Sequence, residues 1–214
     1  MKEKTDNVLI CPLNWGLGHA ARCIPIIREL ILMHKKVVVA GHGKSLTLLK
    51  LEFPGLDFVE LSGVEINYGT SGFSLAAMLL QFPKMIRSVY KEHRQLKQII
   101  NEKNIHLVIS DNRFGCWSDS VKSIFITHQL FIKLPSRWRM LTRLVNAVNH
   151  YFINKYDECW VPDENSDPNL SGELSHGNSQ LSNVKFIGTL SRFNLLEKEK
   201  NNSQYEVLVI LSGP

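Results

Sequence analysis

The stretch from Val8 to Leu30 constrains this chain more than any other. Val8-Leu9-Ile10-Cys11-Pro12-Leu13 is an apolar run without clean alternation, as expected of a strand covered on both faces. Asn14-Trp15-Gly16-Leu17-Gly18 then turns the chain, and His19 stands at the mouth of an amphipathic helix that reads on through Cys23-Ile24-Pro25-Ile26-Ile27-Arg28-Glu29-Leu30 to about His34. A strand that feeds a glycine turn and a helix opens a nucleotide-type α/β domain.

The rest of the chain repeats that alternation. Val37 to Ala40 reads as a second buried strand, Ser45 to Phe53 as a short helix, and Asp57 to Leu61 as a third strand. Ser62 to Ser74 is a Gly/Ser/Asn-rich loop, and Leu75 to Asn101 is helical, with Pro83 expected to kink or break it. Further strands are expected at Ile105–Ser110, Ser123–Thr127, Asp157–Pro162 and Val184–Ile187, with a long helix at Arg137–Lys155. This predicts an α/β class, Rossmann-like: a doubly wound parallel sheet of about seven strands with helices on both faces.

At 214 residues and 44% hydrophobic, the chain can build a real core, and a net charge of +5 permits an anionic partner without demanding nucleic acid. No nucleic-acid module is visible. Cys11, Cys23, Cys116 and Cys159 show neither C-x-x-C pairing nor metal-ligand spacing with histidine, so they read as free thiols and no metal site is expected. Met1 to Asn7 is charged and unlike a signal peptide, and no apolar run approaches the roughly 20 residues of a membrane span. These features point to a cytoplasmic protein.

Gly16-Leu17-Gly18-His19-Ala20-Ala21 formally satisfies G-x-G-x-x-A. Dinucleotide binding would further need an acid at the end of the second strand, where Val39-Ala40-Gly41-His42 offers none. His19 suggests other chemistry: an imidazole at a helix N-terminus is disfavoured in its charged form, and a neutral imidazole over a strand-end crevice can serve as a general base. Asp111, at the end of Leu107-Val108-Ile109-Ser110, is the natural carboxylate to orient it, because the first and fourth strands are neighbours in a 3-2-1-4-5 sheet. The bland alternative is that His19 orders the loop and Asp111 caps the next helix.

Gly16-Leu17-Gly18-His19, Ser110-Asp111, Val161-Pro162-Asp163 and Ile187-Gly188-Thr189-Leu190-Ser191-Arg192 together resemble MurG-like glycosyltransferases of the GT-B fold, as their N-terminal, acceptor-binding half. The resemblance implies two Rossmann-like domains across a cleft, the C-terminal one holding a nucleotide-sugar, usually a UDP-sugar. It implies metal-independent, inverting transfer to an acceptor hydroxyl, with no cofactor beyond that co-substrate, His19 as base and Asp111 as its partner. Gly16, Leu17, Gly18, Asn112, Arg113, His128 and Gln129 are then expected to line the substrate cleft. The sequence departs from MurG in its sparser glycine loop, in the later Pro25, and in Asn112-Arg113-Phe114-Gly115-Cys116-Trp117-Ser118 where a glycine-rich acceptor loop is expected. These departures speak against a peptidoglycan precursor as acceptor.

On this reading 1–193 is the acceptor-binding domain, 194–204 a charged linker, and 205–214 the first strand of a donor-binding domain not contained in this sequence. The alternatives are a GT-B-fold sugar-nucleotide epimerase and an acceptor-binding subunit that works with a separate donor-binding subunit. Two basic, apolar stretches, marked by Leu79, Phe82, Met85 and Arg87 and by Arg137, Trp138 and Arg139, suit peripheral contact with an anionic membrane or with a lipid-linked acceptor. Equally, their apolar faces pack on the sheet while the charges are merely solvated.

Overall fold

Seven strands form one all-parallel sheet in the order β3-β2-β1-β4-β5-β6-β7. The computed structural model describes residues 6–63, 75–135, 138–177 and 181–193. The strands are β1 (Asn7–Pro12), β2 (Lys36–Gly41), β3 (Asp57–Glu60), β4 (Ile105–Asp111), β5 (Lys122–Ile126), β6 (Glu158–Val161) and β7 (Val184–Phe186). The helices are α1 (Leu17–Leu32), α2 (Gly43–Glu52), α3 (Leu75–Glu102) and α4 (Arg139–Ile153). The expected element order and the adjacency of the first and fourth strands are both present.

The apolar strand runs are explained by what covers them. Side chains alternate across a sheet, so Val8 and Ile10 of β1 face one way and Leu9 and Cys11 the other. The first face joins Val37, Val39, Ile109, Ile124 and Ile126 to Ala20, Ile24 and Ile27 of α1 and Leu46 and Leu49 of α2. The second joins Val38, Ala40 and Val108 to Leu96, Ile99 and Ile100 of α3. Beneath α4, Phe125, Cys159 and Val161 meet Phe152, Ile153 and Tyr156. Each fully buried aliphatic side chain contributes roughly 1.5–3 kcal/mol, and both faces of the central strands collect it.

Pro83 lies inside α3, which runs unbroken from Leu75 to Glu102. The expected break is therefore absent. Two glycines are fixed by close approach rather than by chance. A Cβ on Gly43, already at φ 62°, would lie 2.2 Å from Asn14 Nδ2, and one on Gly115 would lie 2.4 Å from Glu92 Oε2. Gly43 thereby brings α2 against the β1–α1 loop, whose Asn14 Oδ1 accepts from the Ser45 N–H at 3.1 Å.

Strand order reverses between β1 and β4, and this is the position where open α/β sheets form a crevice at their carboxyl edge. Pro12 pairs with Asp111 in register. The Leu13 N–H then donates to the Asp111 carbonyl at 3.0 Å, so the turn into α1 starts directly over the end of β4. Of the expected loop at 62–74, residues 64–74 lie outside the described residues, as do the expected linker at 194–204, the expected strand at 205–214 and Arg137.

Candidate active site

Asp111 ends β4 with no solvent exposure, and three nitrogens from two side chains converge on its carboxylate. His19 Nδ1 stands 2.7 Å from Oδ1. Arg22 donates from Nε to Oδ2 and from Nη2 to Oδ1, both at 2.6 Å. Two lone pairs cannot meet at 2.7 Å, so the His19 proton sits on Nδ1 and donates to the carboxylate. In the neutral ring that leaves Nε2 of His19 as the acceptor, the state a general base needs.

α1 supplies both cleft side chains. His19 is in its first turn and Arg22 three residues later, on the same helical face. Gly16, at φ 133°, precedes the helix without a side-chain cap, so the chain enters α1 by a conformation that glycine alone adopts readily. The Arg22–Asp111 pair is a two-pronged, charge-assisted contact, with side-chain exposures of 14% and 0%. Burial alone would lower the Arg22 guanidinium, but its hydrogen bonds to Asp111 and that carboxylate's charge outweigh it and raise its proton affinity.

His128 follows β5 and closes the group from the other side. Arg22 Nη1 stands 3.0 Å from its Nδ1. Burial, and next the Arg22 charge, push the His128 imidazole below its ordinary value, and Asp111 acts in the opposite sense. A cavity of about 460 Å³ opens here, with Gly18, Arg22, His128, Ser171, Thr189 and Ser191 in its walls. His19 is joined to this cavity through Arg22. A second cavity, of about 590 Å³, lies at the carboxyl ends of β2 and β3 between His42, Glu60, Ser62 and Lys84.

The remaining expected cleft residues divide. Gly18 lines the first cavity, while Gly16 and Leu17 are exposed at the start of α1. Asn112 takes φ 57°, a left-handed turn that asparagine tolerates, and its N–H donates to the Ile126 carbonyl at 3.1 Å. Gln129 is exposed; its backbone N–H donates to Thr127 Oγ1 at 3.0 Å and its carbonyl accepts from Asn149 Nδ2 at 3.1 Å.

Arg113 is placed differently from the expectation. The turn at Asn112 sends it into the interior, where it is 1% exposed and pairs with Glu92 of α3 through Nε at 2.6 Å. It also donates to the carbonyls of Pro12, Leu61 and Ser62. Arg113 thus ties together the ends of β1 and β3; it lines neither cavity itself, but its partners Leu61 and Ser62 are in the wall of the second.

Sequence reasoning missed Arg22. Its only signal is the three-residue spacing from His19 on an amphipathic helix. Asp163, part of the quoted Val161-Pro162-Asp163 motif, is a buried loop organiser. It accepts from the N–H groups of Glu164, Leu170 and Ser171, and His176 Nε2 lies 3.3 Å away. Burial would raise its carboxyl, yet these hydrogen bonds, led by the Ser171 hydroxyl, hold it well below the usual carboxylate range.

Among the described residues, no group of three or more His, Cys, Asp or Glu side chains could hold a metal ion. Of the surface residues, Phe82, Arg87 and Arg139 are exposed, and Met85 and Trp138 are half-buried; the side chain of Leu79 lies outside the described residues. No described helix is long and apolar enough to cross a membrane.

No protein-family model and no curated protein matches the chain. Solved structures do. A UDP-glucosyltransferase from Polygonum tinctorium that glucosylates indoxyl, in complex with 3,4-dichloroaniline, is 13% identical with a TM-score of 0.57, over 89% of this chain and 54% of its own. Phytolacca americana UGT2, complexed with UDP-2-fluoro-glucose and pterostilbene, is 12% identical with a TM-score of 0.52, over 77% and 49%. MurG from Acinetobacter baumannii is 7% identical with a TM-score of 0.44, over 77% and 43%. The chain thus spans about half the length of the solved structures it matches. At these identities the likeness is one of fold, and the fold of this chain is the Rossmann-like fold found in GT-B glycosyltransferases.

Proposed function

We propose that this chain is the acceptor-binding part of an inverting, metal-independent GT-B glycosyltransferase. It would take a sugar from a nucleotide-sugar, a UDP-sugar in the first instance, and transfer it to an acceptor hydroxyl. The observation that carries the reading is the 2.7 Å contact between His19 Nδ1 and the fully buried Asp111 carboxylate, at the β1–β4 reversal. The fold likeness to glycosyltransferases supports it.

In this mechanism Asp111 holds the His19 ring with Nε2 bare. The acceptor hydroxyl gives its proton to Nε2 as its oxygen attacks the anomeric carbon. The new C–O bond forms on the face opposite the leaving group, the bond to the diphosphate breaks, and the nucleoside diphosphate departs with that electron pair. A second domain would supply the donor site. Orientation accounts for much of the rate in such a scheme, because it converts the encounter of two substrates into a reaction within one complex. The exposed Phe82, Arg87 and Arg139 are the surface on which a lipid-linked acceptor or an anionic membrane would rest.

A screen of nucleotide-sugar donors on the full-length protein, with the product's anomeric configuration read by NMR, tests this. The reading expects a product with inverted configuration. A product with retained configuration, or epimerisation of the donor without any acceptor, would overturn it.

A further inference from the structure

One guanidinium touches both histidines of the site. Arg22 Nη1 is 3.0 Å from His128 Nδ1, and Arg22 Nη2 is 3.0 Å from His19 Nδ1. A guanidinium carries only donors, so a ring nitrogen that bonds to it must present a lone pair. For His128, whose Nδ1 has this one hydrogen-bond partner among the described residues, the proton therefore sits on Nε2. For His19 the shorter contact to the Asp111 carboxylate decides the other way, and Nη2 merely passes Nδ1 on its way to Oδ1. The two rings hold opposite tautomers: Nε2 of His19 accepts, and Nε2 of His128 donates.

We propose that Arg22 is the positioning residue of this site, fixing His128 as a hydrogen-bond donor to a ligand oxygen in the cavity while its grip on Asp111 keeps His19 an acceptor. The ligand oxygen is one belonging to the acceptor molecule beside its reacting hydroxyl. This deepens the function proposed above and concerns the same site. Its first half, the paired tautomers, stands or falls without any sugar transfer.

The geometry has few other sources. Asp111 is the carboxylate that faces Arg22, and its two oxygens are both occupied by that side chain. Asp163 lines the same cavity, but its oxygens are taken by the 163–171 loop and by His176. Cys23, next to Arg22, is a buried thiol pushed well above its ordinary range by that burial. Arg22 is therefore the one charged group among the described residues that contacts both imidazoles.

The test is a ¹⁵N-edited imidazole spectrum of this chain at pH 8. The expected result is an Nδ1–H tautomer for His19 and an Nε2–H tautomer for His128. In Arg22→Met the His128 ring is expected to lose its single-tautomer signature. A wild-type spectrum with His128 protonated on Nδ1, or an unchanged His128 signal in Arg22→Met, would overturn the proposal. Should Arg22→Met fail to fold, Arg22→Gln, which keeps a donor at the same place, and the wild-type spectrum decide it. On the full-length enzyme, His128→Phe should raise the acceptor KM by about tenfold with a smaller change in kcat, and His128→Gln, with an N–H near the Nε2 position, should restore it. An unchanged KM in His128→Phe would contradict the donor role.

Discussion

At the scale of single residues, two arginines show how little a local sequence says about where a charge points. Arg22 and Arg113 each follow a site residue closely, yet one lines the cleft and the other is buried beneath it. Nothing in the sequence separates an arginine on the cleft face of α1 from one in water, since both suit an amphipathic helix. For Arg113 the deciding event is the left-handed turn at Asn112, which redirects the next side chain towards Glu92. His19 and Asp111 were legible because their chemistry is rare at such positions and because strand order alone makes β1 and β4 neighbours. Arg113 also gives a stability prediction. Arg113→Ala would leave Glu92 buried and unpaired, and should cost about 3–5 kcal/mol in denaturant unfolding. The double variant Arg113→Met with Glu92→Leu should recover much of that loss, and a double variant no more stable than the single one would count against a paired-charge account.

At the scale of elements, the strand–helix alternation told nearly the whole story. The apolar runs of β1, β2 and β4 identified strands covered on both sides, and α1 and α3 carry matching apolar faces. Pro83 does not break α3, because proline removes one hydrogen bond but a long helix continues past it. The short strands towards the β7 edge were equally legible in position, and their cross-strand ties were not. Glu158 on β6 accepts from Lys122 of β5 at 2.6 Å, from Lys185 of β7 at 2.9 Å and from Trp160 Nε1 at 2.8 Å. These contacts, Lys122 foremost, lower its carboxyl to about 2. A carboxylate whose folded value is depressed contributes stability that is fully present above its unfolded value, near 4.3, and is lost as pH falls through the folded one. Stability should therefore decline between about pH 5 and 2, and Glu158→Gln should flatten part of that slope in urea melts at graded pH. An identical slope in the variant would assign the acid sensitivity elsewhere, with Asp163 as the next candidate.

For the whole molecule, the fold places an imidazole, a buried carboxylate and a cavity at one edge of one sheet, at the reversal of strand order. This chain covers about half of each glycosyltransferase structure it resembles, 54% in the Polygonum tinctorium case. In the proposed function the acceptor hydroxyl and its proton fall to these residues. In that function His19 takes the proton. The most direct test is the initial rate of sugar transfer by the full-length protein with wild-type His19, with His19→Ala and with Asp111→Asn, at saturating donor. His19→Ala is expected to lower kcat by about 10²–10⁴ and Asp111→Asn to fall between it and wild type. Turnover that survives His19→Ala at the wild-type rate would contradict it.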